Sequence, residues 1–587
     1  MDYQNKYNQW LNDSCFDEAT KEELRGIAGN AVEIEERFYK ELEFGTGGLR
    51  GILGAGTNRM NIYTIRKATQ GLANYILKQY PVPVVAGTPV CPGEARPSVV
   101  IAHDPRHFSA EFAEAAALTL CGNGIKAYLF NSLRPTPLLS FAIRRLGCIS
   151  GIVITASHNP PEYNGYKCYW SDGAQVSFPQ DEAIIDEVNA VESFSDIKCI
   201  GKAQALESGL LTILDSGIDD EYNTEVLKQI INPQIISKMA NELKIVYTPL
   251  NGAGNVPVQR ALASAGFKCV HVVPEQENPD PNFTTVSYPN PEDPKAFALA
   301  RKLADEIDAD IIIATDPDAD RMGAIVKNAA GEYTLLTGNQ LGVLMAEYVI
   351  YGRKQNGTMP PNPAIITSIV STNMTKEISE ANDLAYFEVL TGFKFIGGKM
   401  NEFEKSGSHN FIYGFEESFG YLAGTHARDK DGVVATLLMC EMAAYYKSQG
   451  LSVYEAMHRL YEKYGFYKEQ IESITLQGKN GLQAMAQIMA NLRANPPEKI
   501  NGLNVVEFRD YEKQLTTRNG ETSPTNLPVS NVLYYVLEDD SWFCIRPSGT
   551  EPKIKMYFGV KGESYIDADG KLVALVSAAM QCVDHAR

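Results

Sequence analysis

From residue 98 onward the chain alternates between two kinds of segment. Short apolar runs of strand character are separated by stretches in which apolar residues recur at helical spacing. Such alternation implies βαβ units and parallel sheets. Runs at 98–102, 127–130 and 149–154 form a first set of strands. Between them lies a helix that Ser109 can cap, with Phe112, Ala116 and Leu120 on one face and Gly122 and Gly124 ending it. The pattern recurs at 243–247, 269–273 and 311–314, with a helix at 256–265 and a proline-rich loop at 279–294. It recurs again with a helix after Thr337, strands at 364–366 and 411–413, and a helix after Gly432. No strict sequence period accompanies the recurrence, so the repeat is one of architecture.

At 587 residues the chain is too long for one core. Beyond about residue 465 strands follow one another directly (471–476, 505–508, 532–537, 542–545, 554–558), with a helix at 481–492. That order predicts an antiparallel sheet with helices on one face. The first 40 residues are charged and helix-prone, with Trp10, Leu11, Leu24 and Phe38 as apolar positions. The expected fold class is α/β: three similar mixed α/β sheet domains plus a C-terminal α+β domain. The expected boundaries are a helical extension at 1–40 and domains at 41–210, 211–333, 334–464 and 465–587. Loops at 93–97 and 519–528 read as surface excursions.

Net charge is −19 at pH 7, which argues against a nucleic-acid surface, since that needs a basic stripe. An acidic protein still binds an anion where its basic groups converge. Ten cysteines are scattered with no C-x-x-C pair, so neither a zinc site nor a disulfide framework is indicated. The polar start, Met1 to Lys6, has no signal-peptide core, and the apolar stretch 138–156 is broken by Arg144 and Arg145. A cytoplasmic enzyme is expected.

Four strand-end segments carry the chemistry. The first, Thr155-Ala156-Ser157-His158-Asn159-Pro160, follows a buried strand, and in open α/β sheets ligands bind at such ends. The second, Thr315-Asp316-Pro317-Asp318-Ala319-Asp320-Arg321, brings carboxylates at i, i+2 and i+4. In an extended segment these point to one side and suit a hard cation such as Mg²⁺. DxD also coordinates metal–nucleotide-sugar complexes and occurs in phosphatases. A phosphorylated Ser157 would add about −1.5 to −2 charge. Each like-charge pair near 4 Å costs on the order of 4 kcal/mol at an effective dielectric of about 20, so serine phosphate and aspartates need a cation between them. The third, Gly414-Phe415-Glu416-Glu417-Ser418-Phe419-Gly420, offers carboxylates and a hydroxyl for vicinal sugar hydroxyls, or is a capping turn. The fourth, Arg546-Pro547-Ser548-Gly549-Thr550-Glu551-Pro552-Lys553, reads as a phosphate cradle or an ordinary Pro-Gly turn. A glycine-rich stretch at 44–51 carries Arg50, and Asp429-Lys430-Asp431 packs charge before the Gly432 helix.

With these segments in this order, the chain resembles the α-D-phosphohexomutase family, the phosphoglucomutases and phosphomannomutases, over about residues 40–587. The GFEESFGY and THARDKDG stretches resemble the branch of bacterial phosphoglucomutases and animal phosphopentomutase and glucose-1,6-bisphosphate synthase. The resemblance implies four domains in a heart shape around a central cleft. It implies Ser157 as phosphoserine; Asp316, Asp318 and Asp320 with the Ser157 phosphate as Mg²⁺ ligands; and Arg50 and His158 beside the phosphoserine. It further implies Lys167 and Lys430 as proton-transfer groups, Glu416 and Ser418 as sugar contacts, Arg321 as a substrate-binding residue, and Arg546, Ser548, Gly549 and Thr550 as the phosphate loop. The metal loop is DPDADR where many members have DGDGDR, and Phe415 stands where several have Gly. The implied activity interconverts hexose 1-phosphate and hexose 6-phosphate, glucose first, through a bound 1,6-bisphosphate that also serves as activator. The partners expected are a small phosphosugar, no nucleic acid and no membrane, the protein being a monomer or weak homo-oligomer. Lysines that shuttle protons would need lowered pKa values. Alternatives are a phosphomannomutase, a phosphopentomutase, a hexose-bisphosphate synthase, a metal-dependent phosphatase or a non-catalytic phosphosugar-binding regulator.

Overall fold

In the computed structural model, residues 2–45, 47–81, 84–85, 88–89, 96–476, 481–548 and 553–586 are described. Two compact units are distinguished: Met1–Leu336 with Gly397–Ser406 and Gly420–Gly450, and Thr337–Ile396 with Gly407–Phe419 and Leu451–Arg587.

The first unit begins with three short helices, Asp2–Asn12, Glu18–Gly26 and Ala31–Phe38. Asp17 and Asn30 cap the second and third through their side chains. Trp10, Phe16, Leu24, Ile34 and Phe38 are buried against Ala55 and Tyr63, and Leu11 is partly buried beside them.

Two sheets follow. The first has strand order Gly48–Ile52, Tyr163–Trp170, Ser150–Ile154, Ser98–His103, Lys126–Phe130, Leu211–Leu214. The last four pair in parallel; the first two run antiparallel to their neighbours. In the second, Val270–Val272, Ile245–Thr248 and Ile311–Thr315 are parallel, and Met322–Lys327 and Tyr333–Leu335 add antiparallel strands. The central strands are mostly apolar, with all five residues of Ser150–Ile154 and of Ile311–Thr315 buried. Helices on both faces account for that pattern.

In the second unit, Ala385–Val389, Pro363–Ser368 and Asn410–Glu416 form parallel pairs. A larger antiparallel sheet runs Phe466–Thr475, Lys553–Gly562, Trp542–Pro547, Leu533–Leu537, Leu503–Asp510, Leu515–Arg518, Glu521–Pro524. Helices Gly481–Ala494 and Tyr565–His585 cover its core. The α/β sheets and C-terminal β-rich domain are those the sequence predicts.

Several local readings change. Within and just beyond the glycine-rich stretch, residues 48–52 are an edge strand, paired with Tyr163–Trp170, a strand the apolar runs did not reveal. Gly165 is why they fit: a Cβ there would lie 2.5 Å from the Thr155 carbonyl oxygen and 2.9 Å from that of Leu49. Ser109 does not cap its helix; it is the first helical residue and its hydroxyl donates to Asp104 instead. The strand before the third segment runs on through Glu416, so only 417–419 form the turn. The excursion at 519–528 contains the strand Glu521–Pro524. Of the 93–97 loop, 93–95 lie outside the described residues. Among the described residues, no helix is long and apolar enough to cross a membrane.

Candidate active site

Ser150–Ile154 delivers the chain to a turn that is held from three sides. Thr155 Oγ1 accepts the Ser157 N–H at 2.8 Å and donates to Asp104 Oδ2 at 2.7 Å. Asp104 Oδ1 accepts from Ser109 Oγ at 2.8 Å and from the Arg106 amide at 2.9 Å. The Arg106 guanidinium donates to the carbonyls of Ser157 at 2.6 Å, Pro160 at 2.7 Å and Tyr163 at 3.0 Å, and also to that of Asn159. Asp104 and Arg106 form an ion pair at 3.1 Å with both side chains 0% exposed. Ser157 sits at φ 51°, a strained value for a residue with a Cβ. The clamp over-determines that conformation and points a buried hydroxyl out of the strand end.

The hydroxyl meets the second segment. Ile311–Thr315 ends in a turn closed by the Ala319 amide on the Asp316 carbonyl at 2.9 Å, with Ala319 at φ 50°. The carboxylates therefore converge through a turn, not along an extended strand as the spacing suggested. A ligand oxygen from each of Asp316, Asp318 and Asp320 lies within 4.8 Å of the others, all buried. Gly432, opening the helix Gly432–Ser448, backs this turn; a Cβ there would lie 2.7 Å from the Ala319 carbonyl oxygen.

Each oxygen has its own surroundings. Asp316 Oδ2 accepts from Ser157 Oγ at 2.7 Å and Oδ1 from the Arg321 amide at 3.0 Å. Asp318 Oδ2 accepts from Lys167 Nζ at 2.7 Å and Thr136 Oγ1 at 2.8 Å. Asp320 Oδ2 lies 3.3 Å from Lys167 Nζ and 3.2 Å from Lys430 Nζ. Asp318 Oδ1 and Asp320 Oδ1 are buried and accept no hydrogen bond. Unsatisfied buried carboxylate oxygens are costly, and two in one all-oxygen cluster fit a hard cation.

The electrostatics divide Asp316 from Asp320. Burial, reinforced by Asp318 and Asp320, pushes Asp316 well above the carboxylate range. Burial would raise Asp320 too, but Lys430, Lys167 and Arg321 hold it well below. Burial alone would lower Lys167; Asp318 and Asp320 outweigh it, and the ammonium stays above its ordinary value. The expectation of a lowered Lys167 pKa is thereby reversed, because the lysine neutralises the carboxylates it touches. His158 Nδ1 lies 3.1 Å from Ser157 Oγ. Burial, with Arg321 and Arg50, lowers its pKa far enough to keep the ring neutral at pH 7. Arg50 reaches Asn159 Oδ1 at 3.2 Å, and Arg321 pairs with Glu292. Lys430 also pairs with Asp429 at 3.0 Å, whose other oxygen accepts from Tyr169 at 2.7 Å.

Ser157, His158, Arg50, Lys167, Asp316, Asp318, Asp320, Arg321 and Lys430 thus belong to one neighbourhood of the first unit. In the second unit, Glu416 is buried and accepts from the Gly392 amide at 2.6 Å, and Ser418 lies in the short turn beyond it. Arg546 lies on the strand Trp542–Pro547, and the Ser548 amide donates to the Lys553 carbonyl at 2.7 Å. Gly549 and Thr550 lie outside the described residues. Sequence reading missed Asp104, Arg106 and Thr136, and quoted Thr155 in the first segment without giving it a role. Asp104-Pro105-Arg106 follows a strand directly, as the other site segments do, and that position was the available signal.

With this geometry in view, comparisons with known proteins are specific. Residues 41–194, 220–331 and 337–464 match alpha/beta/alpha domains I, II and III of phosphoglucomutase/phosphomannomutase. The phosphoglucomutase of Staphylococcus aureus strain MSSA476 is 37% identical over 550 residues, 93% of this chain and 94% of its own length. That of strain MRSA252 is 37% identical over 547 residues, with the same coverage. Among solved structures, Paramecium pp63/parafusin in its open form superposes with TM-score 0.67 at 17% identity, covering 93% of this chain and 95% of its own. A Burkholderia thailandensis phosphoglucomutase/phosphomannomutase family protein gives 0.66 at 19%, covering 93% and 98%. These two speak to fold alone.

The chain belongs to the phosphoglucomutase/phosphomannomutase family. It is a hexose-phosphate mutase, an isomerase that works by phosphoryl transfer.

Proposed function

We propose that the protein interconverts glucose 1-phosphate and glucose 6-phosphate through a phosphorylated Ser157. The observation that carries this reading is the buried Ser157 hydroxyl 2.7 Å from Asp316, inside a cluster of three aspartates. The glucose preference follows the 37% identity to the staphylococcal phosphoglucomutases.

Two transfers complete the reaction. In the first, a free sugar hydroxyl attacks the phosphoryl group on Ser157. The new bond joins phosphorus to the sugar oxygen, the bond to Ser157 Oγ breaks, and a bound hexose 1,6-bisphosphate results. In the second, after the intermediate has turned over, Ser157 Oγ attacks its other phosphate; the new bond joins phosphorus to Oγ, the bond from that phosphorus to the sugar oxygen breaks, and the hexose leaves with one phosphate. The proton lost by the attacking hydroxyl returns to the departing oxygen; Lys167 and Lys430 are the proton-transfer residues, Lys167 entering as an ammonium and so acting first as the acid toward the departing oxygen. Asp316, Asp318 and Asp320 would hold Mg²⁺ with an oxygen of the Ser157 phosphate, and when bound the ion polarises the phosphoryl oxygens and stabilises charge in the transition state. His158, kept neutral, donates or accepts one hydrogen bond at Ser157 without adding charge. Arg50, beside Asn159, and Arg321 add positive charge near the transferring group. Glu416 and Ser418 bind sugar hydroxyls, and Arg546, Ser548, Gly549 and Thr550 hold the non-reacting phosphate. Glucose 1,6-bisphosphate restores phosphoserine when it is lost.

Coupled assays of glucose, mannose and pentose phosphate interconversion, primed with glucose 1,6-bisphosphate, test the reading. Turnover of glucose phosphate above the other two is expected. Turnover of none, or phosphate release faster than isomerisation, overturns it.

A further inference from the structure

Thr136 has no role in the reaction as described, yet it makes two hydrogen bonds to the central aspartate. Its hydroxyl donates to Asp318 Oδ2 at 2.8 Å and its amide to the Asp318 carbonyl at 2.9 Å. It opens the helix Thr136–Leu146 and is 0% exposed. The sequence around it is Pro135-Thr136-Pro137, and neither proline has an N–H. The first amides of a helix have no partner inside it. Between the two prolines one such donor remains, and it is spent on the acidic turn. The positive end of that helix therefore faces the aspartates.

The hydroxyl has a second consequence. Asp318 Oδ2 is occupied by Thr136 and by Lys167, at 2.8 Å and 2.7 Å. Asp318 Oδ1, equally buried, accepts nothing. A carboxylate can turn about its last bond; its two oxygens are equivalent, so what matters is the angle, and an intermediate rotation takes the free oxygen out of line with the site. Lys167 does not prevent this, because an ammonium on a flexible stem can follow either oxygen, and it also serves Asp320 at 3.3 Å. Thr136 is stiff: it is β-branched, on a helix, and tied to the same residue through its amide.

Resting on the reading that the three aspartates hold a cation, we infer that Thr136 is a positioning residue for that cation: its hydroxyl fixes the rotation of Asp318 and presents Oδ1 as the ligand oxygen. Partners of this kind, which touch the ligand and not the ion, are worth about 10–100-fold in metal affinity.

The test is Mn²⁺ binding to the whole, substrate-free protein, followed by electron paramagnetic resonance. Thr136→Val keeps the shape and removes the hydroxyl; Thr136→Ser keeps the hydroxyl. The expected result is about 10–100-fold weaker Mn²⁺ binding in Thr136→Val, with Thr136→Ser within about threefold of the parent. Leu139→Ala, buried on the same helix, should lower thermal stability and leave Mn²⁺ affinity unchanged. If Thr136→Val does not fold, Thr136→Ala is read in the same way. Parent-like Mn²⁺ affinity in a folded hydroxyl-free variant, with binding abolished in Asp318→Asn, overturns the role of Thr136 and leaves the cation site standing. Parent-like affinity in Asp318→Asn itself overturns the cation site on which the inference rests.

Discussion

Two of the sites where this molecule takes carboxylates out of water treat them oppositely. In the first unit Asp316, Asp318 and Asp320 are surrounded by Lys167, Lys430 and Arg321, and Asp320 is held well below the carboxylate range. In the second unit Glu469, half-buried on the strand Phe466–Thr475, has as donors among the described residues the neutral side chains of Thr372 and Asn339. Burial pushes it up to about 7. Burial without opposite charge yields a proton; at Asp320 burial among cations preserves the negative charge that a metal and a phosphoryl group require, while Asp316, facing its two acidic neighbours, is pushed up. Three lysine and arginine side chains are the difference between a structural acid and a candidate catalytic one.

The largest effect should come from removing the group the acidic cluster faces. Ser157→Ala is expected to lose at least about 10⁴-fold in mutase turnover, measured by coupled assay, while its fold remains intact by circular dichroism. Next, Asp320→Asn removes a carboxylate that Lys430, Lys167 and Arg321 keep ionised. It should lower turnover by about 10³-fold, and chelation of the parent protein should do the same until Mg²⁺ is restored. Comparable losses under chelation and in the variant would tie the charge to a metal rather than to lysine pairing alone.

Arg106→Met probes the support rather than the chemistry. It leaves Asp104 buried without its partner and frees the carbonyls of Ser157, Asn159, Pro160 and Tyr163. A loss of about 3–5 kcal/mol in unfolding free energy is expected from denaturant titration. The smallest effect concerns Glu469. Its folded pKa is raised, so the stability it contributes is complete below about pH 4.5 and lost as pH rises through about 7. Glu469→Gln stays neutral throughout. Relative to the parent it should gain about 2–3 kcal/mol between pH 5 and pH 8.5, seen in the thermal midpoint. A difference independent of pH would mean that Glu469 is compensated after all, and the contrast between the two sites would collapse.

The alternation of strands and helices was legible because the central strands are buried on both faces and read as unbroken apolar runs. The strand Tyr163–Trp170 was not, since its run of Tyr, Asn, Gly and Lys has no such pattern; it is admitted by the close approach at Gly165. Ser157 and the three aspartates could be named from their position after strands and their spacing. The reason the aspartates converge could not: a turn with Ala319 at positive φ leaves no glycine signature. The roles of Asp104, Arg106 and Thr136 were hidden for a related reason, although Asp104 and Arg106 carry the positional signal of following a strand. Each acts on a residue tens to hundreds of positions away, and no local pattern records that partner. The raised Lys167 pKa belongs to the same class, being set by carboxylates about 150 residues distant.

The most direct measurement is peptide mass spectrometry of the protein after incubation with glucose 1,6-bisphosphate and removal of excess sugar. A single phosphoryl group on Ser157, discharged on adding glucose 1-phosphate, is the predicted result. A protein that turns over glucose phosphate while Ser157 stays unmodified at every stage would contradict it.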